Sequence, residues 1–203
     1  MSERLLYVVT EDWYFHSHRL PLARAALAAG YDVHVATRID TERERLIQAG
    51  LQLHPLPFNR GDTRAWRDVS LLAKLVGLYR RLGPHIIHHV AMKPVLYGTL
   101  ASYSVPRARV VNALAGLGYL FTGDNGRSST AVRAARAVLP RIMRRRGDVI
   151  VQNPDDEAVV RDFGVAPERI HQIRGSGVDV DHHRPTAEPP GEPVVAMVSR
   201  ILW

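Results

Sequence analysis

The apolar and polar positions near the start of the chain predict a strand, then a polar segment, then a helix. Residues 5–9 form a continuous apolar run, which is typical of a strand buried on both faces of a parallel sheet. Charged and aromatic residues crowd positions 11–19, and a helical pattern follows at 21–29, ended by Gly30. Because open α/β sheets bind ligands at the carboxyl ends of their strands, residues 11–19 are a candidate binding loop. An ordinary surface loop around a buried tryptophan is the alternative.

The alternation of strand-like and helix-like segments continues through most of the chain. It predicts further strands at 31–37, 51–57, 85–90, 109–114, 149–152 and 170–174. It predicts helices at 41–49, 63–82, 94–103, 129–146 and 155–163, with Pro140 expected to kink or break the fourth of these. Pro55 and Pro57 place the third strand near an edge of the sheet. The pattern therefore predicts an α/β fold with a doubly wound, mostly parallel sheet.

Residues 186–193 interrupt this alternation, because proline and glycine dominate them as in an interdomain linker. The apolar residues that follow predict another buried strand, close to the last residue, Trp203. We expect residues 1–185 to form one domain and residues 194–203 to be the first strand of a second, truncated domain. A terminal strand at the edge of the main sheet is the alternative.

Composition narrows the class of protein. The 203 residues include no cysteine, which excludes disulfides and thiolate metal sites and fits a reducing compartment. We find no signal-peptide pattern and no apolar run long enough to span a bilayer. The net charge is +7, and Lys74 and Lys93 are the only lysines. Arginine suits phosphate, carboxylate, anionic lipid or nucleic acid, although a general arginine bias explains the same counts.

Two common phosphate-binding motifs are missing from the sequence. No G-x-G-x-x-G follows the first predicted strand, and no G-x-x-x-x-G-K-[ST] occurs anywhere. Their absence argues against a nicotinamide-dependent dehydrogenase and against a P-loop NTPase.

Candidate binding residues lie near the carboxyl ends of two later predicted strands, 85–90 and 109–114. His88 and His89 lie near the end of a predicted strand, where an imidazole can hydrogen-bond a sugar hydroxyl or position a phosphate, and Lys93 can meet an anionic group. Strand alternation sends the two rings to opposite faces, which argues against one shared metal. Gly116 and Gly118 belong to a glycine-rich loop whose backbone amides can approach a ligand closely. Histidines satisfied by their neighbours and a flexible connecting loop are the alternatives.

The helix predicted at 129–146 is basic and amphipathic. Its apolar face carries Val132, Ala135, Leu139 and Ile142, and its last turns carry Arg141, Arg144, Arg145 and Arg146. Such a helix can lie on an anionic membrane surface, or its positive charge can simply suit a helix C-terminus. We do not expect nucleic-acid binding, because no RNA-binding or helix-turn-helix signature accompanies the charge.

Several of these stretches together resemble one family. The chain is similar to the N-terminal half of a GT-B-fold retaining glycosyltransferase of the large family four, the glycosyl transferases group 1 type. The stretches that carry the resemblance are 12–15, 17–22, 87–89, 93–94, Asn112 with 115–119, 175–179 and 198–200. They follow the order and spacing of that family across almost the whole chain.

The resemblance implies two Rossmann-like domains that face a cleft. The N-terminal domain would bind the acceptor, the C-terminal one most of a nucleotide-sugar donor, and no metal cofactor would be needed. His88 matches a histidine near the reacting sugar, although the second histidine that the family often has is Val90 here. Arg200 matches an arginine that contacts the donor diphosphate. The residues that would shape the acceptor side and the cleft are Trp13, His16, His18, Arg19, Lys93, Gly116 and Gly118.

The expected function follows from the resemblance. The full-length enzyme would transfer a sugar to a saccharide or polyprenyl-linked acceptor in cell-envelope or capsule polysaccharide synthesis, and the fragment alone would be inactive. We expect a cytoplasmic protein that docks peripherally on the inner face of the cell membrane. A sugar-nucleotide epimerase of the same fold and a non-catalytic basic module that binds membrane or nucleic acid are the alternatives.

Overall fold

Seven parallel strands form one sheet in the computed structural model of the chain. The structure describes residues 2–58, 65–114, 130–181, 183–187, 190–192, 194–195 and 197. The strands are β1 (Arg4–Glu11), β2 (Asp32–Arg38), β3 (Gln52–Pro55), β4 (Ile86–Val90), β5 (Arg109–Ala113), β6 (Asp148–Val151) and β7 (Ile170–Gln172). The α-helices are α1 (Asp12–Ala28), α2 (Arg43–Gln48), α3 (Ala65–Leu82), α4 (Thr99–Ser102), α5 (Thr130–Arg145) and α6 (Pro154–Asp162). A π-helical turn, Pro94–Gly98, precedes α4, and a 3₁₀ turn, Pro167–Arg169, precedes β7.

The strand order is β3-β2-β1-β4-β5-β6-β7, which confirms the predicted α/β class. The chain winds outward from β1 to β3, returns through α3, and then winds the other way from β4 to β7. The winding therefore reverses between β1 and β4, the point at which open α/β sheets bind ligands. As the prolines predict, β3 is an edge strand.

The core packs on both faces of the sheet. On one face, Leu5, Tyr7 and Val9 of β1 are buried with Phe15 of α1. On the other face, Leu6 and Val8 are buried together with residues of α3. A third cluster lies under α5 and α6 and includes Leu139, Met143, Val149, Val151 and Val160. The continuous apolar run at 5–9 is thus explained by burial on both faces.

Helix α1 starts earlier than the sequence predicts. The segment expected to be a loop is helical from Asp12 onward, and Pro21 lies inside the helix rather than at its start. The Asp12 carboxylate explains this: it accepts the N–H of Trp13 (2.8 Å) and the N–H groups of Asp40 (2.6 Å) and Glu42 (3.0 Å). This fully buried side chain fixes both the start of α1 and the approach to α2. Pro140 likewise lies inside a helix, α5, that is continuous through it.

The chain after β7 contributes no further strand in its described part. Ile173 still donates its N–H to the Val151 carbonyl (2.9 Å), and beyond it the backbone leaves the sheet. Of the strand expected at 194–203, Val194, Val195 and Met197 are described, and they are 86%, 98% and 88% exposed. The other residues of that expected strand lie outside the described ones, so the division into two domains stays a prediction.

None of the helices in the described ranges has both the length and the apolar character needed to cross a membrane.

Candidate functional site

The candidate site lies where β1 and β4 end side by side. Tyr7 of β1 pairs with His88 of β4, and each strand then leads into a helix at the carboxyl edge. After β4 the chain turns through Ala91, whose φ of 76° is in the left-handed region. Its N–H donates to the Ala113 carbonyl (3.1 Å) and its carbonyl accepts the Val95 N–H (3.0 Å), so hydrogen bonds hold this turn. A left-handed alanine is costly and is characteristic of functional sites.

The first turns of α1 present aromatic and polar side chains to solvent. Trp13 is 41% exposed, and its ring meets that of Tyr14 edge-on at 5.9 Å. The Tyr14 ring stacks on the His18 ring, with centroids 4.3 Å apart and planes within 10°. Ser17 Oγ lies 2.6 Å from His18 Nδ1 and 2.9 Å from the Trp13 carbonyl oxygen. These four residues, Trp13, Tyr14, Ser17 and His18, are called the α1 surface below.

His88 packs against Tyr7 of β1, and Arg19 of α1 is close enough for its charge to act on both residues. The His88 ring is 7% exposed, and its centroid is 5.2 Å from that of Tyr7. Burial lowers the pKa of His88 to about 3, and the neighbouring charges of Arg19 and His89 act in the same direction. Burial raises the pKa of Tyr7 to about 12, against the opposing effect of Arg19. His88 is therefore a neutral imidazole at physiological pH.

Two nitrogen atoms here are buried without a hydrogen-bond partner in the described part of the chain: His88 Nε2 and Arg19 Nε. Buried polar groups in folded proteins are nearly always paired, so each such atom calls for an explanation.

His89 faces the opposite side of β4, as strand alternation predicts. Its Nδ1 donates to Asn112 Oδ1 (2.8 Å), and its Nε2 accepts the Tyr79 hydroxyl (2.9 Å). The Thr99 hydroxyl donates to the same Asn112 oxygen (2.8 Å). Burial lowers the pKa of His89 to about 4, the hydrogen bond to Asn112 raises it, and the charge of Arg146 lowers it. A Cβ on Gly98 would stand 2.5 Å from the His89 ring, so the π-helical turn packs directly on this network.

Two of the expected acceptor residues contact other elements. His16 Nδ1 is 3.7 Å from Glu42 Oε2 at the start of α2. Lys93 Nζ is 3.8 Å from Asp68 Oδ1 on α3. Burial, with the hydrogen bond and charge of Asp68, raises the pKa of Tyr97, which lies one π-helical turn after Lys93. Asp68 therefore ties both side chains to α3.

The structure thus groups Trp13 and His18 on one exposed part of α1 and places Arg19 close enough to His88 for its charge to act there, whereas His16 and Lys93 lie toward α2 and α3. Gly116, Gly118 and Arg200 lie outside the described residues. The sequence did not point to Tyr7 or Asp68 as site residues, and it included Tyr14 and Ser17 only within the stretches 12–15 and 17–22 that carry the family resemblance, without a role at the site. The four-residue spacing of Tyr14 and His18 points to a shared helix face, but only once the segment is known to be helical.

The basic end of α5 divides into two groups. Arg141, Arg144 and Arg145 are exposed. Arg146 turns inward, and its guanidinium donates to the carbonyls of Ser102 (3.4 Å), Val105 (3.2 Å), Pro106 (3.1 Å) and Ala108 (2.9 Å). Arg146 therefore holds the segment that follows α4 in place. The other three arginines of the predicted cluster, Arg141, Arg144 and Arg145, are exposed where a partner can contact them.

No group of three or more histidine or carboxylate side chains in the described ranges is arranged to hold a metal ion.

Comparison with known proteins concerns the family and the fold of the chain. A family model described as "Glycosyl transferase 4-like" matches residues 4–153. No curated protein matches the sequence significantly.

Among solved structures, the chain is similar to Anabaena HepE in complex with UDP and glucose, with a TM-score of 0.58 and 18% identity over 87% of this chain and 45% of that chain. It is similar to the sucrose-phosphate synthase of Thermosynechococcus elongatus, with a TM-score of 0.59 and 15% identity over 85% and 48% of the two chains. It is also similar to the UDP-GlcNAc 2-epimerase of Methanocaldococcus jannaschii, with a TM-score of 0.59 and 13% identity over 86% and 46%. The chain spans about half the length of these proteins. At such identities the likeness shows the fold.

Proposed function

The chain belongs to the glycosyl transferase 4-like family, and from this premise we propose that it is the acceptor-binding lobe of a GT-B-fold retaining glycosyltransferase. The intact enzyme transfers a sugar from a nucleotide sugar to a saccharide or polyprenyl-linked acceptor in cell-envelope or capsule polysaccharide synthesis. The observation that carries the proposal is the aromatic and polar α1 surface, on the helix that follows β1 at the point where the sheet reverses its winding between β1 and the His88 strand, β4.

The proposed roles follow from the chemistry of the side chains. The Trp13 ring offers an apolar face to a pyranose ring, while Ser17 and His18 hydrogen-bond its hydroxyls. His88 is neutral and acts near the reacting sugar as a hydrogen-bonding group rather than as a charge. The roles of Gly116 and Gly118 in the cleft and of Arg200 on the donor diphosphate rest on the family resemblance. A nucleotide sugar as donor is supported by HepE, whose structures hold UDP with glucose and UDP-glucose.

Product analysis tests the proposal. The intact enzyme is incubated with a panel of radiolabelled nucleotide sugars, UDP-glucose first, with and without a polyprenyl-linked saccharide. We expect label in the acceptor only when the acceptor is present, no loss of activity with EDTA, and no transfer by the 203-residue chain alone. Transfer by the isolated chain, or no transfer from any donor by the intact enzyme, contradicts the proposal.

A second candidate is a sugar-nucleotide epimerase, because the Methanocaldococcus epimerase shares the fold at a comparable TM-score of 0.59. An epimerase acts on the nucleotide sugar itself. Conversion of the donor to a second nucleotide sugar without any acceptor would establish this function instead.

We also propose that α5 docks the enzyme on the inner face of the cell membrane. Arg141, Arg144 and Arg145 are exposed, and no acidic residue occurs between positions 125 and 147. Each arginine near an anionic surface contributes about 1 kcal/mol.

Sedimentation with vesicles tests the docking. Vesicles with anionic lipid should retain the chain, and neutral vesicles should not. The triple variant R141Q/R144Q/R145Q should lose most of the binding, whereas R24Q/R43Q/R45Q on α1 and α2, with the same change in charge, should keep it. Equal binding to both kinds of vesicle, or equal loss in both variants, removes the membrane proposal.

A further inference from the structure

The carboxylates around the start of α1 are already engaged. Arg38 Nη2 donates to Glu11 Oε1 (3.2 Å), the Asp12 carboxylate accepts backbone N–H groups, and Glu42 lies between His16 and Arg45. No ion pair within the described part of the chain includes Arg19, although its charge acts on both Tyr7 and His88. Arg19 is thus a half-buried cation without a protein counter-ion there.

His88 adds a hydrogen-bonding group to the same place. It is more than nine-tenths buried, and its Nε2, like Arg19 Nε, has no partner in the described ranges. A neutral imidazole with its proton on Nε2 is a donor at this atom, and the guanidinium is a donor at every nitrogen. In that tautomer the two nitrogens are both unpaired donors, one of them cationic, and they match a ligand that only accepts hydrogen bonds and carries negative charge.

We propose that Arg19 and His88 form an oxyanion-binding subsite that recognises a phosphate or carboxylate group of the acceptor. This inference rests on the proposed function, because it gives the acceptor of that site an anionic group beside its sugar. Both nitrogens are closed to solvent in the ligand-free chain. Binding therefore includes a rotation of the Arg19 side chain, a common response of side chains to a ligand.

The subsite divides the acceptor between two surfaces. The α1 surface contacts the sugar ring, and Arg19 with His88 holds the charged substituent. The shared chemistry is an oxyanion, with two sources: the phosphodiester of a lipid-linked acceptor, or the carboxylate of an acidic sugar.

NMR titration of the ¹⁵N-labelled chain tests the subsite. At pH 7 and constant ionic strength, inorganic phosphate, glycerophosphodiester and glucuronate are added in separate arms, with UDP as a fourth. We expect a saturable shift of the His88 imidazole and Arg19 Nε resonances with at least one of the first three probes. The stronger of the phosphodiester and glucuronate responses identifies the source of the anion.

Variants distinguish anion binding at Arg19 from a general attraction of anions to the positively charged chain. Arg19→Met should weaken binding at least tenfold, and Arg19→Lys should keep part of it. Arg24→Met, which removes an exposed arginine of the same helix, should bind like the wild type. Backbone amide spectra confirm that each variant is folded.

Three results overturn the inference: no saturable shift with phosphate, phosphodiester or glucuronate; a shift that Arg19→Met leaves intact; or an equal loss in Arg24→Met. Sugar transfer to an uncharged acceptor together with any of these results leaves the proposed function standing. Arg19-dependent oxyanion binding in an enzyme that transfers no sugar supports the subsite and contradicts the proposed function.

Discussion

His88 and His89 are adjacent in sequence, yet β4 directs them to opposite faces and into different chemistry. His88 lies beside Tyr7 under α1, and His89 is held by Tyr79 and Asn112 under the π-helical turn. The alternation of side chains along a strand predicts this division. The partners could not be predicted, because they come from elements that only the tertiary fold brings near. The inward turn of Arg146 has the same cause, since its acceptors are backbone carbonyls that the sequence does not reveal.

The buried histidines make stability depend on pH. In the folded chain the pKa of His88 is about 3 and that of His89 about 4, below the ordinary 6.5 of the unfolded chain. Between pH 6.5 and about 4 the unfolded state binds more protons, so the free energy of unfolding falls as the pH is lowered. Each histidine contributes up to about 1.4 kcal/mol per pH unit in this range.

Urea unfolding at pH 7.5, 6.5, 5.5 and 4.5 measures this slope. The double variant H88Q/H89Q, although less stable at pH 7.5, should lose clearly less of its stability toward pH 4.5 than the wild type. An identical loss in both proteins contradicts the assignment of these two residues.

The left-handed backbone of Ala91 leads to a prediction about stability. Its φ of 76° suits glycine, which adopts the left-handed region without steric cost. Ala91→Gly should leave the free energy of unfolding unchanged or raise it by up to about 1 kcal/mol. The same substitution at Ala25, an exposed position inside α1, should lower it by about 0.5–1 kcal/mol. Equal losses in the two variants would show that the left-handed turn is wrong.

At the scale of elements, the sequence predicts the number and order of strands better than their ends. The start of α1 was not predicted because its first residue, Asp12, is held by contacts distant in sequence: the Asp12 carboxylate accepts the N–H groups of residues 40 and 42. A proline is common at the start of a helix, so Pro21 indicated a helix start, but in the structure Pro21 lies inside α1. This error matters for function. Because residues 11–19 were predicted to be a loop, the sequence did not show that Trp13, Tyr14, Ser17 and His18 share the first turns of a helix.

The π-helical turn yields a prediction about packing. A Cβ on Gly98 would stand 2.5 Å from the His89 ring and 3.0 Å from the Tyr79 hydroxyl, whereas nothing lies within 4 Å of a Cβ on Gly77 in α3. Gly98→Ala should lower the free energy of unfolding by about 1–3 kcal/mol through overpacking. Gly77→Ala should raise it by about 0.5–1 kcal/mol through helix propensity. Chemical denaturation of both variants checks this, and effects of the same sign and size contradict the packing at Gly98.

At the scale of the whole molecule, alternating strands and helices predict the α/β class, but the strand order depends on which strands pair in space. That order places β1 beside β4 and so creates the candidate site. The exposed residues after β7, Val178, Val180, Val194, Val195 and Met197, have no place in the described core. They fit the proposal that a second lobe, which would carry most of the donor site, completes the enzyme.

Steady-state kinetics of the intact enzyme test most directly whether this lobe binds the acceptor. We predict that Trp13→Ala, combined with His18→Ala, raises the acceptor KM about tenfold or more and leaves the KM for the nucleotide sugar unchanged. Leu22→Ala, at another exposed position of α1, should alter neither constant. A rise in the nucleotide-sugar KM with an unchanged acceptor KM would contradict the account.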